Sequence, residues 1–307
     1  MPWWAISYLV ILTLVVLISV IKDYFDQRSP LYMVGEFASL QGVMGRCYAE
    51  RAGEPDEVAM ALDEQYMPRG ASDDTPSTTT GQILSISDRI DTLVGIFAIG
   101  QKPTGEKDPF GLRRATIGIL RILKEHRLPL VLNDLLQLAA DGLVEKIENR
   151  DVITEVRDYM LERLRGIYAD EGMQADLFNA VAELEPDTLS DFDQRIRAVA
   201  AFRDLPEAES LAAANKRIRN IVRKAEEEIP GEIAKRLFKL SQERALAELI
   251  LKTRKEVEPL LEEKNYSEAL KTLAGLRERV DDFFDNVMVM DKNREIRQNR
   301  LIVIHAR

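Results

Sequence analysis

Two groups of basic side chains are the best candidates for chemistry in this chain. The first is Lys216, Arg217, Arg219, Asn220, Arg223 and Lys224, six polar or basic residues within nine positions. The second is Arg294, Arg297 and Arg300, whose three-residue spacing reads as one face of a helix. Cations in such rows bind phosphates and release the counterions around them, which gives affinity that falls with salt. Phosphate contacts position a nucleic acid without reading its sequence. The plain alternative is a solvated charged face, and Glu226, Glu227 and Glu228 temper the first group. A third stretch, GQKPTGEK at 100–107, invites comparison with the phosphate loop G-x-x-x-x-G-K-[ST]. It departs from that pattern. Glu106 separates Gly105 from Lys107, Asp108 takes the hydroxyl position, and a helical pattern precedes the loop where a strand is required. It reads as an ordered connection between helices, and an inter-domain or inter-subunit contact stays open. No nucleophile paired with a base, metal-ligand cluster or phosphate loop is evident, so no catalytic residue is named.

The elements that must position these residues are helical. Leu211, Ala214, Ile218, Ile221, Val222 and Ala225 form a three-four apolar stripe. Lys216, Asn220 and Arg223 fall opposite it, with Arg217, Arg219 and Lys224 on the flanks. Around the 100–107 loop, Ile90, Leu93, Val94, Phe97 and Ala98 predict a helix over 88–99. Gly100 stands at a usual C-terminal stop. Asp108-Pro109 predicts the start of a second helix over 109–127, with Ile117, Leu120, Ile122 and Leu123 inward and Arg113, Arg114, Arg121 and Lys124 on a solvated face.

Elsewhere, 33–70 reads as helix with breaks, Pro55 starting a helix that runs through Tyr66, and 70–81 as a polar loop. Helices are expected at 131–146, 151–168, 174–184 and 189–203. A long pair is expected at 232–262 and 265–288, broken around Pro259 and Asn265, and a last helix at 291–304. Val280, Phe283, Phe284 and Val287 read as core, the aromatic pair more so than as a base-stacking platform. No alternating strand pattern stands out, so the class is all-α.

Composition sets the outer bounds. The 307 residues allow two domains. The single cysteine, Cys47, excludes an internal disulfide and reads as a small core residue. The net charge of −10 is uneven: residues 206–307 carry +2 and residues 1–205 carry −12. A uniformly acidic chain binds nucleic acid poorly, so the C-terminal third is the better candidate for RNA. Residues 1–21 contain no charged residue, long enough to span a bilayer at about 20 residues, with Trp3, Trp4 and Tyr8 as interfacial aromatics. No small-residue cleavage site follows, which favours an uncleaved anchor over a removed signal peptide. A membrane anchor over residues 3–21, a buried helix, or an upstream reading-frame artefact would each account for it.

Several runs together identify a family resemblance. They are MVGEFASLQGVMGRCYA at 33–49, ALDEQYMPRGASDD at 61–74, DTLVGIFAIGQKPTGEKDPFGLRRATIGILRIL at 91–123, LAAANKRIRNI at 211–221 and DDFFDNVMVMDKNREIRQNRL at 281–301. In this order they resemble the β chain of bacterial glycyl-tRNA synthetase, the heterotetrameric kind. The resemblance begins near Met33, which favours the frame artefact for residues 1–30. It implies an HD-like helical domain over 31–148, a helical connecting region over 149–205, and an anticodon-binding helical bundle over 206–307, cut short after Leu301. Working HD phosphohydrolases hold metal through several histidines and a His-Asp pair. This chain has His126 and His305 only and no such dipeptide, so neither metal nor hydrolase activity is expected.

The resemblance further implies a β subunit (fragment) of glycine–tRNA ligase, in an α2β2 heterotetramer with the α chain. The α chain would carry the aminoacylation site and use ATP with Mg, and this chain would bind no cofactor. Its own work would be assembly and binding of the tRNA for glycine. Lys216, Arg217, Arg219, Asn220, Arg223, Arg294, Arg297 and Arg300 are the expected tRNA contacts, in the cytoplasm. A membrane-anchored helical interaction protein, or a non-functional gene fragment, are the alternatives.

Overall fold

The computed structural model describes residues 40–105, 107–143, 151–225 and 233–305. The apolar stretch 3–21, on which the membrane reading rests, lies outside them. Among the described residues no helix is long and apolar enough to cross a membrane. The class is all-α: among the described residues the only extended pairings are the isolated bridges Thr104–Lys107 and Val131–Thr188.

The chain divides into two compact units, one of residues 1–175 with 185–190, the other of residues 176–184 with 191–307. The stretch 149–205, expected as a connecting region, is therefore shared between them. In the first unit the helices are α1 (Gln41–Ala52), α2 (Asp56–Glu64), α3 (Thr79–Ala98), α4 (Leu112–Glu125), α5 (Leu132–Gly142) and α6 (Val152–Asp170). The central element is α3, which packs on α2, α4, α5 and α6. It buries Ile90, Leu93, Val94 and Phe97, the stripe that the sequence pattern marks, and also Leu84 and Ile86. Val156, Met160, Leu164 and Tyr168 recur every four residues along α6, which places them in one buried row.

Helix α3 starts nine residues before the expected position, because Thr78 caps it. The Thr78 Oγ1 accepts the Gly81 N–H at 3.0 Å, satisfying an orphan donor of the first turn. Thr78 is itself held by the buried Glu64 of α2. The Glu64 carboxylate accepts the Ser77 N–H at 2.8 Å, the Ser77 hydroxyl at 2.6 Å, the Thr78 N–H at 3.1 Å and the Thr78 hydroxyl. A Cβ at Gly81 would lie 2.6 Å from the Glu64 Cβ, so only glycine fits there. Nearby, the Arg89 guanidinium donates to the carbonyls of Gln65, Tyr66 and Pro68 at 2.9, 3.0 and 3.2 Å. The run at 61–74 thus serves the junction of α2 with α3.

Helix α4 starts at Leu112, not at Pro109. Asp108 does accept the orphan N–H groups, those of Leu112 and Arg113 at 2.8 and 2.9 Å, but it does so across an intervening turn. Gly111, at φ 66°, occupies the cap position in the left-handed region that favours glycine. Arg121 is not simply solvated: it donates to the Ala71 and Asp73 carbonyls at 3.1 and 2.9 Å and pins the polar loop. Cys47 is half-buried on α1 and not a core residue.

The second unit holds α7 (Ala175–Ala182), α8 (Leu189–Arg203), α9 (Ala208–Ala225), a short 3-10 turn (Lys235–Leu237), α10 (Ser241–Glu262), α11 (Tyr266–Ala274), α12 (Arg277–Asn286) and α13 (Arg294–His305). Helix α10 begins nine residues later than expected, because Glu243 in its first turn reaches back to the Leu240 N–H at 2.7 Å and sets the start there. It also runs through Pro259 to Glu262. The bond that Pro259 cannot make faces solvent one turn from the end, where its cost is least. The 265–288 stretch is two helices, parted at Gly275 and Leu276. Phe283 and Phe284 lie in the core with Leu246, Ala247, Val280, Val287, Leu301 and Val303. The Phe283 and Phe284 rings meet edge to face at 5.6 Å. Asp191 ties α8 to α11, accepting from the Tyr266 hydroxyl at 2.6 Å and from Arg195 Nε at 2.9 Å.

Candidate nucleic-acid interface

Helix α9 presents the first basic group as the sequence suggests. Ala214 is buried, and Leu211, Ile218, Ile221, Val222 and Ala225 are half-buried along the inner side. Of these, Ala214, Ile218, Ile221 and Ala225 join the core that α12 and α13 also line. Lys216, Arg217, Arg219, Asn220, Arg223 and Lys224 are all exposed. The rotation of about 100° per residue that turns the stripe inward turns Lys216, Asn220 and Arg223 outward. Two side-chain contacts help hold the helix in place. Ser210 Oγ meets the Asp281 carboxylate at 3.1 Å, and the Arg217 guanidinium stacks over the Phe284 ring at 4.4 Å. Arg217 therefore fixes α9 against α12 as well as contributing charge. Asn220 Oδ1 accepts from Arg223 Nη2 at 3.4 Å. What remains is a row of exposed ammonium and guanidinium groups on one helix face, suited to phosphates at helical spacing and carrying no group that does covalent chemistry.

The second group behaves differently. Arg294 is exposed, Arg297 is half-buried and Arg300 is only 5% exposed. The three are not brought to one open face, because three residues fall short of a full helical turn. Each step rotates back by about 60°, so Arg300 lies about 120° round from Arg294. The Arg300 guanidinium is held inside. It pairs with the buried Glu243 carboxylate, with Asp291 Oδ2 at 2.9 Å and with the Met288 carbonyl at 2.9 Å. Glu243 in turn accepts the Leu240 N–H, and Arg297 donates to the Asp291 carbonyl at 2.9 Å. Asn299 is also buried, and its Oδ1 accepts the Ala234 N–H at 2.8 Å. The backbone N–H of Asn293 first, and then the Arg300 charge, hold the Asp291 carboxyl below its usual range. The run at 281–301 is thus mostly a folding device. Spacing alone makes Arg300 a surface cation and gives no role to Glu243, and the structure corrects both. The signal available was Asn299-Arg300 preceding the apolar run Leu301–Ile304.

Residues 100–105 and 107 lie between α3 and α4, and residue 106 of this loop is outside the described residues. Thr104 and Lys107 exchange both backbone hydrogen bonds, at 3.1 and 2.9 Å. Lys102 pairs with Glu155 of α6 at 2.6 Å. His126 meets Thr75 Oγ1 at 3.0 Å, and His305 is exposed near the end of α13. Among the described residues no three His, Cys, Asp or Glu side chains gather in a way that could hold a metal ion.

Comparison with known proteins gives two family matches. Residues 30–183 match the model of the glycyl-tRNA synthetase beta subunit. Residues 211–307 match the DALR anticodon binding domain. Among curated proteins, the chain is 49% identical over 273 residues to the glycine–tRNA ligase beta subunit of Glaesserella parasuis serovar 5 (strain SH0165). It is 49% identical over 274 residues to that of Haemophilus influenzae (strain PittGG), and 46% identical over 272 residues to that of Pseudomonas aeruginosa (strain LESB58). Each match covers 89% of this chain but 40% of the relative.

Proposed function

Because the chain belongs to the glycyl-tRNA synthetase beta subunit family, we propose that it supplies tRNA binding and subunit assembly to ATP-dependent glycylation of tRNA. The reaction joins glycine to its tRNA. The aminoacylation site, with its ATP and Mg, lies on a partner α chain, in an α2β2 assembly in the cytoplasm. This chain holds no catalytic residue for that step. Its part is to hold the tRNA for glycine where the partner can act on the acceptor end.

The observation that carries the reading is the exposed basic face of α9, which lies within the segment similar to an anticodon binding domain. Lys216, Arg219 and Arg223 grip phosphates, Asn220 offers a polar amide beside them, and Arg217 sets the helix angle while adding charge. Arg294, with Arg297 beside it, extends the contact from α13. The interior Arg300 contributes by holding α13 in place. Positioning of this kind lowers a barrier by pre-paying the entropy of orientation.

The test is the triple variant Lys216→Ala, Arg219→Ala, Arg223→Ala, titrated with tRNA across a salt series. Affinity should fall roughly tenfold or more, and the slope of log K against log salt should flatten by about 1 for each phosphate that is no longer neutralised. An unchanged slope would remove α9 from the interface.

A further inference from the structure

We propose that Met288 and Met290, between α12 and α13, form an apolar platform on which bound tRNA lays an unpaired base, with Lys292 and Arg294 on the adjoining phosphates. This rests on the tRNA-binding reading above and deepens it, adding a base contact to the phosphate contacts.

Burial alternates along this connection. Val287 and Val289 are 4% and 5% exposed and belong to the core of the second unit, whereas Met288 is 76% and Met290 45% exposed. Val287 is extended, at φ −118° and ψ 117°. Side chains alternate across an extended chain, so the alternation that turns both valines inward leaves both methionines outward. Two positions apart, their Cα atoms are separated by no more than about 7 Å. The backbone beneath them is held at several points. The Met288 carbonyl accepts from Arg300 Nη1 at 2.9 Å, and the Val289 carbonyl accepts the Asp291 N–H at 3.0 Å. The Asp291 carbonyl accepts from Arg297 Nη1 at 2.9 Å, and Asn293 Oδ1 accepts the Glu295 N–H at 2.9 Å at the start of α13. The buried Arg300 is thus a positioning residue for this platform. A segment held this way loses little further freedom when a ligand settles on it. In a run that otherwise serves folding, these two side chains are what folding leaves over.

Charge and chemistry favour RNA as the occupant. Residues 286–294 hold two cations, Lys292 and Arg294, both exposed, against one acid, Asp291. The Asp291 carboxylate is taken up by Arg300 at 2.9 Å, so the open charge beside the methionines is positive. Arg294 also continues the phosphate contact proposed for α13. A thioether is soft and polarizable and packs well against the face or edge of a ring. Single-stranded RNA is recognised through bases that have left their stack, and the platform lies within the segment, 211–307, similar to an anticodon binding domain.

The experiment is titration of tRNA for glycine, across a salt series, into the full chain and into the variant Met288→Gln with Met290→Gln. Both replaced side chains are exposed, so circular dichroism should show the two proteins equally helical. The double variant should bind about tenfold more weakly. Its slope of log K against log salt should match the parent's, because no phosphate contact is lost. A second measurement needs no variant: hydrogen peroxide should convert Met288 and Met290 of the parent to sulfoxides, and saturating glycine tRNA should slow both. If the parent binds tRNA but the double variant binds equally well, or oxidation proceeds unslowed, the platform is overturned while the reading of α9 stands. Protection by the α chain and not by tRNA would likewise overturn it and make this face a subunit contact. If the parent binds no tRNA, the tRNA-binding reading fails first and the platform falls with it.

Discussion

Replacing Arg300 with Ala should destabilise the fold by about 3–5 kcal/mol, the range for breaking a buried ion pair by removing one partner. Glu243 is 1% exposed and would be left buried without its guanidinium partner. Asp291 and the Met288 carbonyl would lose their donor as well. Urea denaturation should show the midpoint falling with little change in slope. Thermal unfolding should fall by about 10 °C. The pair itself is not required for strength. Replacing Glu243 and Arg300 together with Met should recover much of the loss, because well-packed apolar groups often match a buried pair. A change below about 1 kcal/mol in Arg300→Ala would place that side chain in solvent and return it to the surface group of arginines.

Replacing Glu64 with Ala should cost about 3 kcal/mol, because it strips the acceptor from two backbone N–H groups and two hydroxyls at the start of α3. Gly81→Ala should be comparably harmful, since its Cβ would occupy the same space. The effect also has a pH signature. Burial alone would raise the Glu64 pKa, but hydrogen bonds from Ser77 and Thr78 outweigh it and hold the carboxyl below its ordinary value. The unfolded carboxyl titrates at about 4.3. As pH falls the unfolded state takes the proton first, so this contribution is complete above about 4.3 and is lost as pH drops through the folded value. Between neutral pH and about pH 3.5, the parent should therefore lose more stability than Glu64→Ala does. Equal losses would mean that Glu64 is already protonated or solvated in the folded protein.

Much of this molecule is legible from residue patterns. The α9 stripe is regular along the helix, so the period alone assigns its inner and outer faces. Phe283 and Phe284 read as core because, with Val280 and Val287, they supply a large apolar area. The departures from expectation lie where a distant partner, a local turn or an exposed helix end decides, and periodicity does not. Thr78 looks like loop until Glu64 is seen to hold it, and that partner lies fourteen residues away. Asp108 is legible as a cap, but the turn between it and Leu112 depends on Gly111 at positive φ, which spacing does not reveal. Pro259 looks like a break, yet its missing N–H falls near an exposed end where a helix tolerates it. Arg300 looks like a neighbour of Arg294, but a spacing of three drifts around the cylinder. Only the opposite partner, Glu243, on a helix 57 residues earlier, shows which side faces in.

The runs that carry the family resemblance divide the same way. Those at 61–74 and 281–301 serve capping and buried ion pairs. The run at 211–221 lays its charged side chains on the surface, and of these Arg217 also packs over the Phe284 ring. That difference is why we propose α9 as the RNA contact and read Glu64, Arg89 and Arg300 as architecture.

The most direct measurement is the affinity of the full chain for glycine tRNA and for an unrelated tRNA, each at about 50 mM and about 200 mM salt. Tighter binding to the glycine tRNA at both salts, with affinity falling steeply between them, is the expected result. A sample shown to be helical that binds neither tRNA would contradict a tRNA-holding role for this chain, and equal binding of both would contradict its preference for the glycine tRNA.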